Sequence, residues 1–198
     1  MYERALVLTV AVVLLAGCGS TPRTASGPAT PDNAYRFETG PGPYSFDFDV
    51  ETGRYRERNL HVPSDRITVT GIIQIVTSKA DANWGGWGAL AAVELAGATE
   101  HDNVGFVAFV TFPDMDKIQL GVRNGFGGTQ EPRVFASLPL SEKGIPFEVK
   151  KVDADHVTVS VLGIGRTVSV HRFEMTRVRV VGSSGHVRFS DVAVNAAQ

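Results

Sequence analysis

The sequence predicts an all-β domain, an antiparallel β-sandwich, and three observations carry that prediction. From Tyr35 onward the apolar residues recur with a period of two, the repeat of a strand with one face buried. Turn-forming residues interrupt these runs at short intervals. A 3.6-residue apolar repeat is nearly absent from the same stretch, Gly88 to Leu95 being the one ambiguous segment, and its flanking glycines favour a strand there too.

The N-terminus stands apart from this pattern. Ala5 to Ala16 is an almost unbroken apolar run of 12 residues. That is shorter than the ~20 residues needed to cross a bilayer, and it suits the apolar core of a signal peptide. It leads into Leu15-Ala16-Gly17-Cys18, which resembles the lipobox of bacterial lipoproteins. The resemblance implies cleavage after residue 17 and a diacylglyceryl group on the thiol of Cys18. Cys18 is the only cysteine, so it has no intramolecular disulfide partner. Two or more acyl chains anchor a protein stably, so the expected location is the cell membrane or outer membrane, with the domain outside the cytoplasm. Residues 18–34 hold 13 Gly, Ser, Thr, Pro or Ala among 17 and read as a disordered tether. The domain is expected over 35–198.

Within the domain, Tyr44, Phe46, Phe48 and Val50 point one way and Ser45, Asp47 and Asp49 the other. Ile67, Val69, Ile73 and Ile75 form the next inward set. Val104 to Phe112 is apolar on both faces, as a central, covered strand requires. Further inward sets are Ile118, Leu120 and Val122; Phe147 and Val149; Val157, Val159 and Val161; Val168 and Val170; Val178 and Val180; and Val187, Phe189, Val192 and Val194. Between them stand Pro113-Asp114, Asn124-Gly125, Asp153-Ala154-Asp155, Gly163 to Gly165, and Gly182-Ser183-Ser184-Gly185, the last expected as a polar hairpin turn.

Phe147 to Lys150, His156 to Gly163, Val178 to Gly182 and Val187 to Val194 resemble the closing strands of the concanavalin A-like lectin and glucanase jelly roll. The resemblance spans about the last 55 residues by motif and the rest by strand rhythm. It implies a two-sheet sandwich whose concave sheet often holds carbohydrate; a fold alone does not assign function.

Composition narrows the chemistry. Net charge is −2, so no basic field calls for nucleic acid. The five histidines are dispersed without ligand spacing, and no cofactor or metal is expected. No G-x-S-x-G or S-x-x-K occurs, and the acid pattern of the glucanases is missing, although carboxylates on separate strands can still converge. Aromatics are the remaining clue. The two tryptophans, Trp84 and Trp87, lie among glycines, a setting that lets an indole lie flat against a sugar ring or plug the end of a sandwich. Asn124 and Phe126 sit in a glycine-rich loop. These four are the candidate ligand-binding residues. Arg177, Arg179 and Arg188, with Thr158, Ser160 and Ser169, are expected on a polar face of the late strands, serving glycan hydroxyls or cross-strand charge pairing.

Three functions follow. A non-catalytic glycan-binding module comes first, a structural or protein-interaction lipoprotein second, and a glycoside-cleaving enzyme third. The partners expected are the membrane, through the lipid, and polysaccharide or envelope proteins.

Overall fold

The period-two runs become strands. In chain order they are β1 (Tyr44–Asp49), β2 (Tyr55–Leu60), β3 (Ile67–Ser78), β4 (Trp87–Ala96), β5 (Asn103–Thr111) and β6 (Lys117–Asn124). The second half adds β7 (Arg133–Pro139), β8 (Ile145–Lys151), β9 (His156–Val161), β10 (Ile164–Ser169), β11 (Arg177–Ser183) and β12 (Gly185–Ala196). The structure, a computed structural model, describes residues 37–79, 86–99, 102–125, 131–170 and 172–196, with the backbone alone of Trp87. No helix occurs among the described residues.

The strands form two antiparallel six-stranded sheets. The first runs β1-β12-β3-β8-β9-β10 and the second β2-β11-β4-β5-β6-β7. Their facing sides supply the core: Phe48, Ile73, Val149, Val159 and Phe189 from the first sheet meet Leu60, Val93, Phe106, Leu120 and Val178 from the second, all buried. The Phe106 and Phe147 rings stack across the two sheets at 5.9 Å, and Phe48 meets Phe189 edge-on at 5.8 Å. Burial of each such side chain contributes about 1.5–3 kcal/mol, which is offset in large part by chain entropy.

The Gly88–Leu95 stretch is a strand, β4, and β5 is buried from Asn103 to Val110, as a strand apolar on both faces should be. Two strands escape the apolar pattern, and both are edges. In β2 the core-side positions are Arg56 and Arg58, opposite Gly182 and Val180 of β11. Arg58 lays its guanidinium 6.0 Å from the Phe48 ring centroid and pairs with Glu38 at 3.1 Å. Inward charges on an edge strand discourage pairing with another chain, and a long arginine reaches water past the apolar surface. The other edge, β7, leaves Val134 exposed and ends in Pro139, which has no N–H to donate.

One expectation is corrected. Gly182 to Gly185 is not a hairpin turn, because β11 and β12 belong to different sheets. The chain crosses between layers there, with Ser184 in the left-handed region at φ 49°. Ser184 Oγ accepts from Gly53 N at 3.0 Å and its carbonyl accepts from Lys79 N at 2.8 Å, which fixes the corner. A Cβ on Gly185 would lie 2.3 Å from the Thr77 carbonyl oxygen, so only glycine fits that crossing.

Candidate functional site on the outer face of the second sheet

Strand register lays three outward rows across the second sheet. The first is Tyr55, Ser183, Leu90, Phe109 and Gln119; the second is Glu57, Val181, Ala92, Val107 and Gly121. The third is Asn59, Arg179, Glu94, Gly105 and Arg123. Ala92, Val107, Phe109 and Val181, with Leu90 against them, make a small apolar cluster separate from the main core.

The third row is ionic. Glu94 is fully buried, 0% exposed, in a strand otherwise made of small and apolar residues. Arg179 donates from Nε at 3.0 Å and Nη2 at 2.7 Å to Glu94 Oε2, and Arg123 donates from Nη1 at 3.1 Å to Glu94 Oε1. Glu57 Oε2 lies 3.8 Å from Arg179 Nη1. Burial pulls the Arg179 guanidinium pKa down, but the Glu94 and Glu57 carboxylates outweigh it and hold that pKa above the usual arginine value. Arg123 reaches Glu94 from two strands away, across β5, at strand spacings of ~5 Å. The residue between them is Gly105, which puts no side chain in the way. A Cβ there would sit 2.1 Å from the Val93 carbonyl oxygen, so the glycine also permits close approach of β4 and β5.

These rows border a groove of about 280 Å³ lined by Tyr55, Leu90, Asn103, Arg123, Arg179, Val181 and Ser183. The Tyr55 side chain is 54% exposed. The arrangement offers one exposed aromatic ring, the half-buried Leu90, and guanidinium and hydroxyl groups. The arginines are already tied to Glu94, so their planes are set before any ligand arrives. Such a surface suits a flexible polar chain with apolar C–H faces.

The sequence-derived candidates fall elsewhere or outside the description. Cys18, Trp84 and Phe126 lie outside the described residues. Trp87 is the first residue of β4, opposite Thr111 at the far end of β5. Asn124 ends β6 opposite Val104, at the start of β5, and its Nδ2 donates to the Ser169 carbonyl of the first sheet at 3.2 Å. Trp87 and Asn124 therefore stand at opposite ends of one strand and are not brought together.

The expected shared polar face of the late strands divides in two. Arg177 and Arg179 lie on β11 of the second sheet, whereas Arg188, Thr158, Ser160 and Ser169 lie on the first. Arg188 Nε donates at 3.1 Å to Asp47, which also meets His186 Nε2 at 2.6 Å. Partial burial works against ionisation of Asp47, but the hydrogen bonds from His186 and Arg188 outweigh it and hold the carboxyl below the usual carboxylate range. Asp49 accepts from Lys79 Nζ at 2.8 Å. Both acids are thus ion-paired on the first sheet's surface. Among the described residues, no group of three or more His, Cys, Asp or Glu could hold a metal ion.

No family model matches the sequence, and no curated protein matches it. Solved structures resemble the chain in shape. An alginate lyase from Alteromonas sp. 272 is 9% identical over 66% of this chain and 71% of its own, with a TM-score of 0.46. A PL7 alginate lyase from Zobellia galactanivorans is 14% identical over 68% and 63%, with a TM-score of 0.49. A galectin from Caenorhabditis elegans is 13% identical over 75% and 95%, with a TM-score of 0.46. At these identities the likeness concerns the arrangement of strands.

Proposed function

We propose that the chain binds polysaccharide, without cleaving it, along the outer face of the second sheet. The observation that carries this reading is the Tyr55 ring, half exposed beside a row of arginines pre-set by a buried glutamate. An exposed aromatic gives a sugar ring a surface for its C–H face. Ser183 and the two guanidinium groups then meet its hydroxyls, or the carboxylate of an acidic sugar. Binding rather than cleavage fits the carboxylate buried beside the groove. Glu94 accepts three N–H bonds and has no access to solvent, an anchoring role unlike that of a general acid aimed at a glycosidic oxygen.

Trp84 and Trp87 are proposed to add further sugar contacts, on the strength of their glycine-rich sequence setting. The chain is further proposed to be held at a membrane by lipid on Cys18, on the strength of the apolar run and the motif that ends it. A glycan-array screen of the full chain tests the binding reading. Retention of one or more polysaccharides, lost in Tyr55→Ala, is the expected result. A blank array, or one that Tyr55→Ala leaves unchanged, removes the groove from consideration.

A further inference from the structure

A second pocket, of about 390 Å³, opens at one end of the sandwich, away from the groove on the second sheet. Its inner wall is Lys151, the last residue of β8, which points between the sheets and is 5% exposed. A lysine this deep is normally paired, because taking an ammonium out of water is costly unless an anion answers it. Lys151 makes no ion pair with any described residue. Its Nζ lies 5.0 Å from the Phe173 ring centroid and donates to the Phe173 carbonyl at 3.5 Å, the outer limit of a hydrogen bond. One long bond to a neutral acceptor leaves most of the donor capacity of the ammonium unused.

The rest of the pocket decides what could use it. Arg66 and Arg172 line the rim and are exposed. The acids there do not answer Lys151. Asp153 is committed to His156 Nδ1 at 2.9 Å and to the Asp155 amide at 2.8 Å, and Asp65 and Glu174 are exposed to water. Phe173 supplies an apolar wall beside the ammonium. We propose that this mouth binds a small molecule bearing an oxyanion (carboxylate, sulfate or phosphate), seated on the Lys151 ammonium and flanked by Arg66 and Arg172. The pocket volume suits a ligand of monosaccharide size, so a free inorganic anion and a sugar acid are two sources of the same recognised group.

Thermal melts of the full chain test this, with inorganic phosphate, sodium glucuronate, glucose and sodium chloride as probes at matched ionic strength. Phosphate and glucuronate should raise the Tm saturably, while glucose and chloride should not. A response to phosphate alone assigns the pocket to inorganic oxyanions, and a stronger response to glucuronate assigns it to sugar acids. Lys151→Met should weaken the apparent affinity at least about tenfold, as expected for loss of a charge-assisted contact, while Lys151→Arg should retain it. If Lys151→Met fails to fold, the exposed Arg172→Ala carries the test, with weaker anion affinity at an unchanged melting temperature of the free protein. Phosphate and glucuronate effects both no larger than that of chloride, or effects equal in wild type and Arg172→Ala, overturn the proposal.

Discussion

Replacing Glu94 with glutamine probes the ionic row on which the proposed groove rests. The carboxylate accepts three hydrogen bonds from two guanidinium groups. Glutamine keeps the length and removes the charge, and its amide NH₂ must then face an arginine that also only donates. Removing one partner of a buried ion pair costs about 3–5 kcal/mol, because the remaining charge is left without an answer. Arg123 and Arg179 keep side-chain exposures of 19% and 18%, so water can partly reach them, and the expected loss is about 3 kcal/mol. For a domain of this size that lowers the Tm by about 6–12 °C. Far-UV circular dichroism melts read it directly. Adding Arg179→Met should restore part of the loss, since the orphaned cation is then gone. A loss below about 1 kcal/mol, typical of surface pairs, would refute the view of Glu94 as a buried anion held by two cations.

Other perturbations reach different parts of the account. Phe189→Ala should cost about 3–5 kcal/mol in denaturant unfolding, because its ring is 1% exposed and packs on Phe48; a cost near zero would mean the core is misplaced. Gly105→Ala should destabilise by about 1–3 kcal/mol or more, since the new Cβ would press on the Val93 carbonyl oxygen and the β4–β5 pairing must shift; an unchanged melt would contradict that close approach. Cys18→Ser should abolish incorporation of a palmitate analogue in cells, because serine lacks the thiol nucleophile; equal labelling of variant and wild type would exclude the proposed anchor.

Period two was sufficient to read where most strands run and which side of each faces the core. In β1, Phe48 is buried while Asp47 and Asp49 are exposed, and in β5 both faces are apolar and both are buried. Such readings need only neighbouring residues. Which strands become neighbours is a different question, and periodicity is silent on it. Arg179 and Arg188 are nine positions apart in sequence, yet the crossing at Ser184 sends them to opposite sheets. The row of Arg179, Glu94 and Arg123 is assembled from three distant segments, so no local spacing announces it. Glu94 left one trace: a lone acid at an outward position of a strand otherwise built of small and apolar residues, where a buried partner is needed. Tyr55 left less, because β2 carries arginines on its core side and hides its own alternation. The tryptophans drew attention by composition, whereas the groove is defined by register.

Glycan binding by the second sheet's outer face is proposed to run through Tyr55. Calorimetric titration of the full chain with an oligosaccharide retained on a glycan array tests it most directly, with wild type and Tyr55→Ala measured side by side and their melting temperatures recorded. Loss of a stacked ring is worth about 1–2 kcal/mol, so Tyr55→Ala should bind roughly tenfold more weakly. Because the side chain is 54% exposed, its removal should leave the melting temperature nearly unchanged. Equal affinities in the two proteins, or a weakened affinity that appears only together with a lowered melting temperature, would contradict the account.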